Sequence, residues 1–294
     1  MMMADLKLSS KYKEFLKYDT DVEFLEGTTA AGKTTVGAVK FLFRVARSDR
    51  KLHIISGLDL GTIEKNIIQA ELGIVDIFGD LVSYHSKGNK DHSLPHLRYQ
   101  TSKGEKIIYV LGYDNKARWK KVLGGQYGCL YIDEINIADM EYVREIFMRA
   151  DYVMATLNPD DPELPIYHEY INHSRPLDKF KNDAPKEIND QLNASPKKGW
   201  VHWFFGFNHN DGLTQAKKEK IISAVPVGTK LYKNKILGVR GRAEGLIFSN
   251  FEYRNNVITQ QEAAAKEYVH FSCGVDTSYS AQSEDTISFI FQGI

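Results

Sequence analysis

The run Gly27-Thr28-Thr29-Ala30-Ala31-Gly32-Lys33-Thr34 fits the pattern G-x-x-x-x-G-K-[ST]. Its glycines let backbone N–H groups turn into one concavity that holds phosphate oxygens, and a helix starting behind it adds a favourable dipole. Lys33 is then placed to bring positive charge to the β- and γ-phosphates of ATP, and the Thr34 hydroxyl to ligate Mg²⁺, with Thr35 next in the nucleotide-binding run. A chain of this length and ordinary composition meets the pattern by chance about once in a hundred. A plain glycine turn would also leave an interior lysine without a role.

A second constellation lies downstream. Asp133 ends the apolar run Cys129-Leu130-Tyr131-Ile132, where its carboxylate would face the cradle and hold Mg²⁺ directly or through water. Glu134 follows at once, and a second carboxylate beside the first suits a general base that deprotonates the attacking water. By itself a strand-end Asp-Glu also caps helices, so the reading rests on the pairing with the cradle. Thr156-Leu157-Asn158-Pro159 closes the next apolar run, which makes Thr156 and Asn158 candidates to hydrogen-bond the γ-phosphate or the water and to report its loss.

Hydrolysis also needs positive charge in the transition state, often an arginine from a neighbouring subunit. Arg118, in the basic stretch Lys116 to Lys121, is the first candidate and Arg98 the second. A solvated basic loop explains either one equally well. Trp119, between Arg118 and Lys120, is alternatively a nucleic-acid contact.

These residues need a scaffold that brings strand ends together. Residues 21–26 read as a strand into the glycine turn, and 35–47 carry apolar residues at helical spacing. A second buried strand is expected at 52–56, a helical stretch at 61–72, a hairpin around 102–104, and strands at 129–132 and 152–155 with a helix over 139–149 between them. This alternation predicts a mostly parallel sheet flanked by helices. Residues 171–198 read as irregular surface chain with small helices. A strand at 201–205, a lysine-rich helix near 214–224 and a helical stretch at 230–237 precede a Gly- and Arg-rich segment, 238–245, the candidate hinge. Strands are expected at 271–276 and 286–290.

Bulk properties narrow the function only by exclusion. Lys+Arg and Asp+Glu cancel at 38 each, so no overall basic field argues for nucleic acid. Cys129 and Cys273 sit in strand-like runs and are expected to be buried thiols in a reducing compartment. His92 and His96 have neither a Cys nor a carboxylate at ligand spacing, which leaves a solvated loop as the better reading than a metal site. No apolar run approaches a membrane span and the Met1-Met2-Met3 start lacks a signal peptide's apolar core, so a soluble, cytoplasmic protein is expected.

Taken in order, the motifs resemble the large terminase subunit, the DNA-packaging motor of tailed bacteriophages. The residues carrying the resemblance are Gly27 to Thr34, Leu130-Tyr131-Ile132-Asp133-Glu134, and Thr156-Leu157-Asn158-Pro159. They continue with His202 to Asn208, Asp211-Gly212-Leu213-Thr214, Glu244-Gly245-Leu246-Ile247-Phe248 and Gly274-Val275-Asp276. The cradle and the Asp-Glu pair are common to many ATPases, whereas the later elements are specific to this family.

The resemblance implies an additional-strand, RecA-like P-loop NTPase domain over residues 1–244, with a linker subdomain from about 205, followed by the start of an RNase H-like nuclease domain over 245–294. It implies a homo-oligomeric ring on the portal protein that translocates double-stranded DNA into a procapsid, with a small terminase subunit as further partner. A monomer in solution is compatible with that assembly, and the place of action is the cytoplasm of the infected bacterial host. Asp276 matches a first-strand carboxylate that binds a pair of Mg²⁺ or Mn²⁺ ions. The later strands carrying the other carboxylates are missing and Asp285 is expected to be exposed, so a truncated nuclease that does not cut DNA is expected here. Many relatives resemble a loop with an arginine where this sequence has Thr29, which shifts the expectation to Arg118 acting between subunits. The alternatives are a helicase, a P-loop kinase and a scaffold with a degenerate nucleotide site. Glu134 disfavours the kinase, the Gly-x-Asp tail the helicase, and the full set Lys33, Thr34, Asp133 and Glu134 the scaffold.

Overall fold

The computed structural model describes residues 7–241, 257–276 and 288–293. The chain divides into two compact units, Met1–Leu246 and Ile247–Ile294.

The first unit is built on eight strands: β1 (Val22–Gly27), β2 (Leu52–Gly57), β3 (Val82–His85), β4 (His96–Thr101), β5 (Gly104–Gly112), β6 (Tyr127–Ile132), β7 (Ala150–Leu157) and β8 (Trp200–Phe205). They form one sheet in the order β3-β4-β5-β2-β6-β7-β1-β8. Every pairing from β5 through β8 is parallel, and the β3–β4–β5 edge is antiparallel. Strand β7 therefore lies between the cradle strand β1 and the carboxylate strand β6, an added strand that puts the ends of all three side by side.

β1 and β6 are buried along their whole length, as strands covered on both faces must be. One face packs against α1 (Ser10–Lys17) and α2 (Lys33–Arg47), with Tyr12, Phe15, Phe41 and Leu42 meeting Leu25, Tyr131 and Trp203. After the short helices α3 (Leu60–Ile63), α4 (Ile74–Phe78) and α5 (Lys116–Trp119), helix α6 (Met140–Phe147) covers the other face. There Tyr142, Val143 and Ile146 meet Phe24, Leu130 and Val153. The irregular 171–198 segment holds α8 (Lys186–Gln191), which follows α7 (Pro165–Glu169), and the lysine-rich helix is α9 (Gln215–Ser223).

Several expectations shift in detail. The stretch expected as one helix over 61–72 is α3 followed by a π-helical turn, Glu64–Ile68, closed by the Gln69 N–H donating to the Glu64 carbonyl at 2.8 Å. β3, only four residues long, carries no periodic signal that would announce it. The expected helix at 230–237 is a π-helical turn, Tyr232–Leu237, ended by Gly238 at φ +70. The segment expected as a hinge is anchored over its described part. Arg240 is buried against Glu26, and the Gly241 N–H donates to the Asp160 carbonyl at 3.1 Å.

In the second unit a short helix, Gln260–Ala264, precedes β9 (Phe271–Asp276), which pairs antiparallel with β10 (Ser288–Gly293). Cys273, expected to be buried, is exposed on β9, which has one strand partner among the described residues. The Glu244 to Phe248 motif and Asp285 lie outside the described residues. No described helix is long and apolar enough to cross a membrane.

Candidate nucleotide-phosphate site

The cradle is held open by backbone geometry that only certain residues tolerate. Gly27 approaches β8 so closely that a Cβ there would sit 1.8 Å from the Phe205 carbonyl oxygen. That same carbonyl accepts the Thr28 N–H at 3.0 Å. Gly32 takes φ +87 at the start of α2, a left-handed conformation that glycine adopts without steric cost. Ala30 also has a positive φ, +51, and its carbonyl is held by the Asn210 side-chain amide at 2.8 Å, while the Tyr12 hydroxyl donates to the Ala31 carbonyl at 2.7 Å. The loop is thus fixed from two sides, by α1 and by the segment after β8.

Lys33 projects from the first turn of α2 and is buried. Its ammonium donates to the carbonyls of Gly27 (3.1 Å) and Thr28 (2.7 Å) and to Asn158 Oδ1 (3.1 Å), which occupies all three of its donors. Burial pulls its pKa down to about 8, against the opposing pull of Asp133, Glu26 and Glu134, and Lys235 adds to the lowering.

Asp133 follows β6, and its Oδ1 accepts from three hydroxyls: Thr156 at 2.5 Å, Tyr131 at 3.2 Å and Thr34 at 3.3 Å. Burial raises its pKa against those hydrogen bonds and the charge of Lys33. Glu134 sits in the left-handed region at φ 52, ψ 50, a conformation uncommon for a non-glycine residue. Two groups hold that turn. The Glu134 N–H donates to Thr156 Oγ1 at 3.4 Å, and the Tyr113 hydroxyl reaches the carbonyls of Asp133 (3.3 Å) and Glu134 (3.2 Å). The Glu134 carboxyl is half-buried, and burial together with the nearby Asp133 raises its pKa, the direction a general base near neutral pH requires.

These groups share one cavity of about 290 Å³, lined by Thr29 to Thr35 together with Asp133, Glu134, Thr156, Leu157 and Asn158. The fold therefore gathers the cradle, both carboxylates, Thr156 and Asn158. Gly27 and Thr28 support the loop from below and do not line the cavity. The Thr34 hydroxyl and the Asp133 carboxylate, hard oxygens 3.3 Å apart in that cavity, are the donor types Mg²⁺ takes.

Three sequence candidates lie elsewhere. Arg118, on α5, is exposed and does not line the cavity. Arg98 is exposed on β4 and engaged by Glu105. Trp119 is fully buried against Tyr142, with ring centroids 5.5 Å apart, which removes it as a nucleic-acid contact. Its indole is large and apolar, and the α5 turn points it into the core while Arg118 faces water. The backbone of Asp276 ends β9 opposite Ser288.

Sequence reasoning also missed a buried network directly behind the cradle. Glu26 accepts two bonds from the Arg240 guanidinium, at 2.9 and 2.7 Å, and lies 2.9 Å from His202 Nε2. Arg240 further donates to Asn172 Oδ1 at 2.8 Å and stacks over the Tyr167 ring. Burial alone would raise the Glu26 carboxyl, but Arg240 and His202 bring it down to about 2. The one sequence signal was an acidic residue near the end of an apolar strand, immediately before Gly27.

Comparison with known families matches residues 24–254 to the terminase large subunit, T4likevirus-type, N-terminal. Comparison with curated proteins gives no match. Among solved structures, a large terminase from a thermophilic bacteriophage superposes with a TM-score of 0.60 at 18% identity, covering 98% of this chain and 65% of that one. A complex of such a terminase with ATP-gamma-S gives 0.60 at 17%, covering 98% and 64%. The large terminase ATPase domain of Thermus phage P74-26 gives 0.54 at 8%, covering 77% of this chain and 95% of that domain. At such identities the likeness is one of fold. The chain spans 65% of the length of the first of these terminases.

Proposed function

Since the chain belongs to the terminase large subunit family, of the T4likevirus type and in its N-terminal part, we propose that it hydrolyses ATP to drive double-stranded DNA into a procapsid. The observation that carries the hydrolytic half is the position of Glu134, half-buried in the same cavity as the cradle and beside Asp133. A carboxylate there, with its pKa raised, takes a proton from water aligned on the γ-phosphate. Lys33 gives up one or more of its three present acceptors to bind phosphate oxygens, and Asn158, which shares Lys33 through a 3.1 Å bond, registers that change. Thr34 and Asp133 would hold Mg²⁺, which supplies charge neutralisation for the phosphates.

The motor reading extends to the assembly: a ring of copies on a portal, a small terminase subunit as partner, and action in the cytoplasm of an infected bacterium with transient residence on the procapsid. Arg118, exposed on α5 and not lining its own chain's cavity, is the candidate arginine that acts on the site of a neighbouring copy. Asp276 is the candidate carboxylate of a second, divalent-metal site that cuts DNA in the whole protein. The test is phosphate release from Mg-ATP by the purified chain, with and without double-stranded DNA, beside Glu134→Gln. Turnover that DNA stimulates and the variant loses by about 10²-fold or more is the expected result. Equal rates in parent and variant would remove Glu134 as the base.

A further inference from the structure

Beside the phosphate cavity lies a second one of about 440 Å³, and the two share Glu134 and Asn158 as walls. Its far side is formed by the segment after α9: Lys230, Leu231, Asn234 and Lys235. This segment is registered on the cradle itself, because the Thr29 N–H donates to the Lys235 carbonyl at 2.9 Å. It is clamped on its other side too. Gly238, at φ +70, passes so close to Phe204 and Thr28 that an added Cβ would lie 2.7 Å and 3.2 Å from them, and Arg240 is locked to Glu26 two residues later.

Two lysines line this second cavity, and they differ in what holds them. Lys230 is committed to Asp160 at 2.6 Å. Lys235 is half-buried and has no ion pair among the described residues. No arginine lines either cavity. Position 29 is a threonine, and its backbone N–H is bonded to Lys235, whose ammonium has no ion pair among the described residues.

We propose that Lys235 is a catalytic residue of the ATPase, meeting the terminal phosphate of ATP from within the same chain, from the adjoining cavity that shares Glu134 and Asn158 with the phosphate site. The proposal rests on the ATPase reading above. A cation placed beforehand by a rigid backbone stabilises the charge that grows on the phosphoryl oxygens without having to reorganise. Its target is the third phosphate, so its effect distinguishes triphosphate from diphosphate.

The experiment measures affinity for ATPγS and for ADP by titration calorimetry, with Mg-ATP turnover, in the parent, Lys235→Ala, Lys235→Arg, Lys33→Ala and Glu134→Gln. Lys235→Ala is expected to lower kcat by about 10²-fold, the usual effect of removing one preorganised charge donor. It should weaken ATPγS about tenfold with ADP nearly unchanged, a difference of about 1.4 kcal/mol, and Lys235→Arg should restore most of both. Parent-like kcat and an unchanged ATPγS-to-ADP ratio in Lys235→Ala overturn the proposal, and so does an equal loss of both nucleotides, which would mark a structural role. If either result comes while Lys33→Ala loses nucleotide and Glu134→Gln loses turnover, the ATPase reading stands and Lys235 alone falls. A parent that binds neither nucleotide overturns both.

Discussion

Strand β1 and the end of strand β6 each carry two carboxylates, and the molecule treats them in opposite ways. On β1, Glu23 and Glu26 are wholly buried and each touches a cation. Glu23 meets Lys40 at 2.6 Å and also accepts from Tyr152 and Trp203, while Glu26 is gripped by Arg240. At the end of β6, Asp133 is met by hydroxyls and, among the described residues, by no ion pair, and Glu134 lines the cavity. The first pair is completed by the fold, one member on each face of β1, tying the cradle strand to α2 and to the segment after β8. The second pair has no ion-pair partner among the described residues and borders the cavity. Buried charge by itself therefore says little about function; whether the partner is internal separates a brace from a site.

The two carboxylates of β1 differ as well. Burial pushes the Glu23 carboxyl up, against the opposing pull of Lys40, Tyr152 and Trp203, whereas Glu26 is brought down to about 2. A bidentate guanidinium with a histidine beside it outweighs the desolvation that a single ammonium and two neutral donors do not.

Breaking a brace should cost stability, and breaking the site should cost turnover. Arg240→Ala, which leaves Glu26 buried and unpaired, is expected to destabilise the first unit by about 3–5 kcal/mol in denaturant unfolding. A loss under about 1 kcal/mol would show that Glu26 finds water or a proton instead. Glu134→Gln should lower kcat by about 10²–10⁴-fold yet move stability by no more than about 0.5 kcal/mol, since no internal partner is lost. A large drop in melting temperature would place Glu134 among the braces.

Acid sharpens the contrast within β1. Glu26 has its pKa depressed from 4.5 to about 2 in the folded chain, so its contribution is complete above the ordinary carboxylate range and is lost as pH falls through that interval. About 3 kcal/mol should vanish between roughly pH 5 and pH 2, judged by urea midpoints across that range. Glu23, shifted upward, contributes with the opposite sign, so Glu26→Gln should flatten the acid limb and Glu23→Gln should not. The smallest effect is expected from Thr156→Val. It removes the hydroxyl that bonds Asp133 and receives the Glu134 N–H, and about 1–3 kcal/mol of stability should go with it. Turnover should fall in the same variant because the left-handed turn at Glu134 loses its support.

Much of the site was legible because its parts are local. Gly27 to Thr34 is a contiguous pattern, and Asp133-Glu134 and Thr156-Leu157-Asn158 each end an apolar strand, so parallel pairing alone brings them to one edge of the sheet. Arg118 and Trp119 show where that reasoning stops. Adjacent in sequence, one faces solvent and the other the core, and neither lines the cavity. Lys235 and Arg240 gave no signal of a role at the site, since the lysine sits in a helical stretch and the arginine among glycines reads as part of a hinge.

The sequence alone determined the chemistry offered at the sheet edge: a phosphate cradle, two oxygen donors suited to Mg²⁺, and a candidate base, because each depends on residue type at short fixed spacing. The tertiary structure decided which distant charges serve it. Glu26 and Arg240 lie 214 positions apart, and Lys235 is joined to the loop by the backbone bond from Thr29. Such pairings are set by how the segment after β8 folds back on the cradle, a long-range packing outcome that no local pattern of residues encodes.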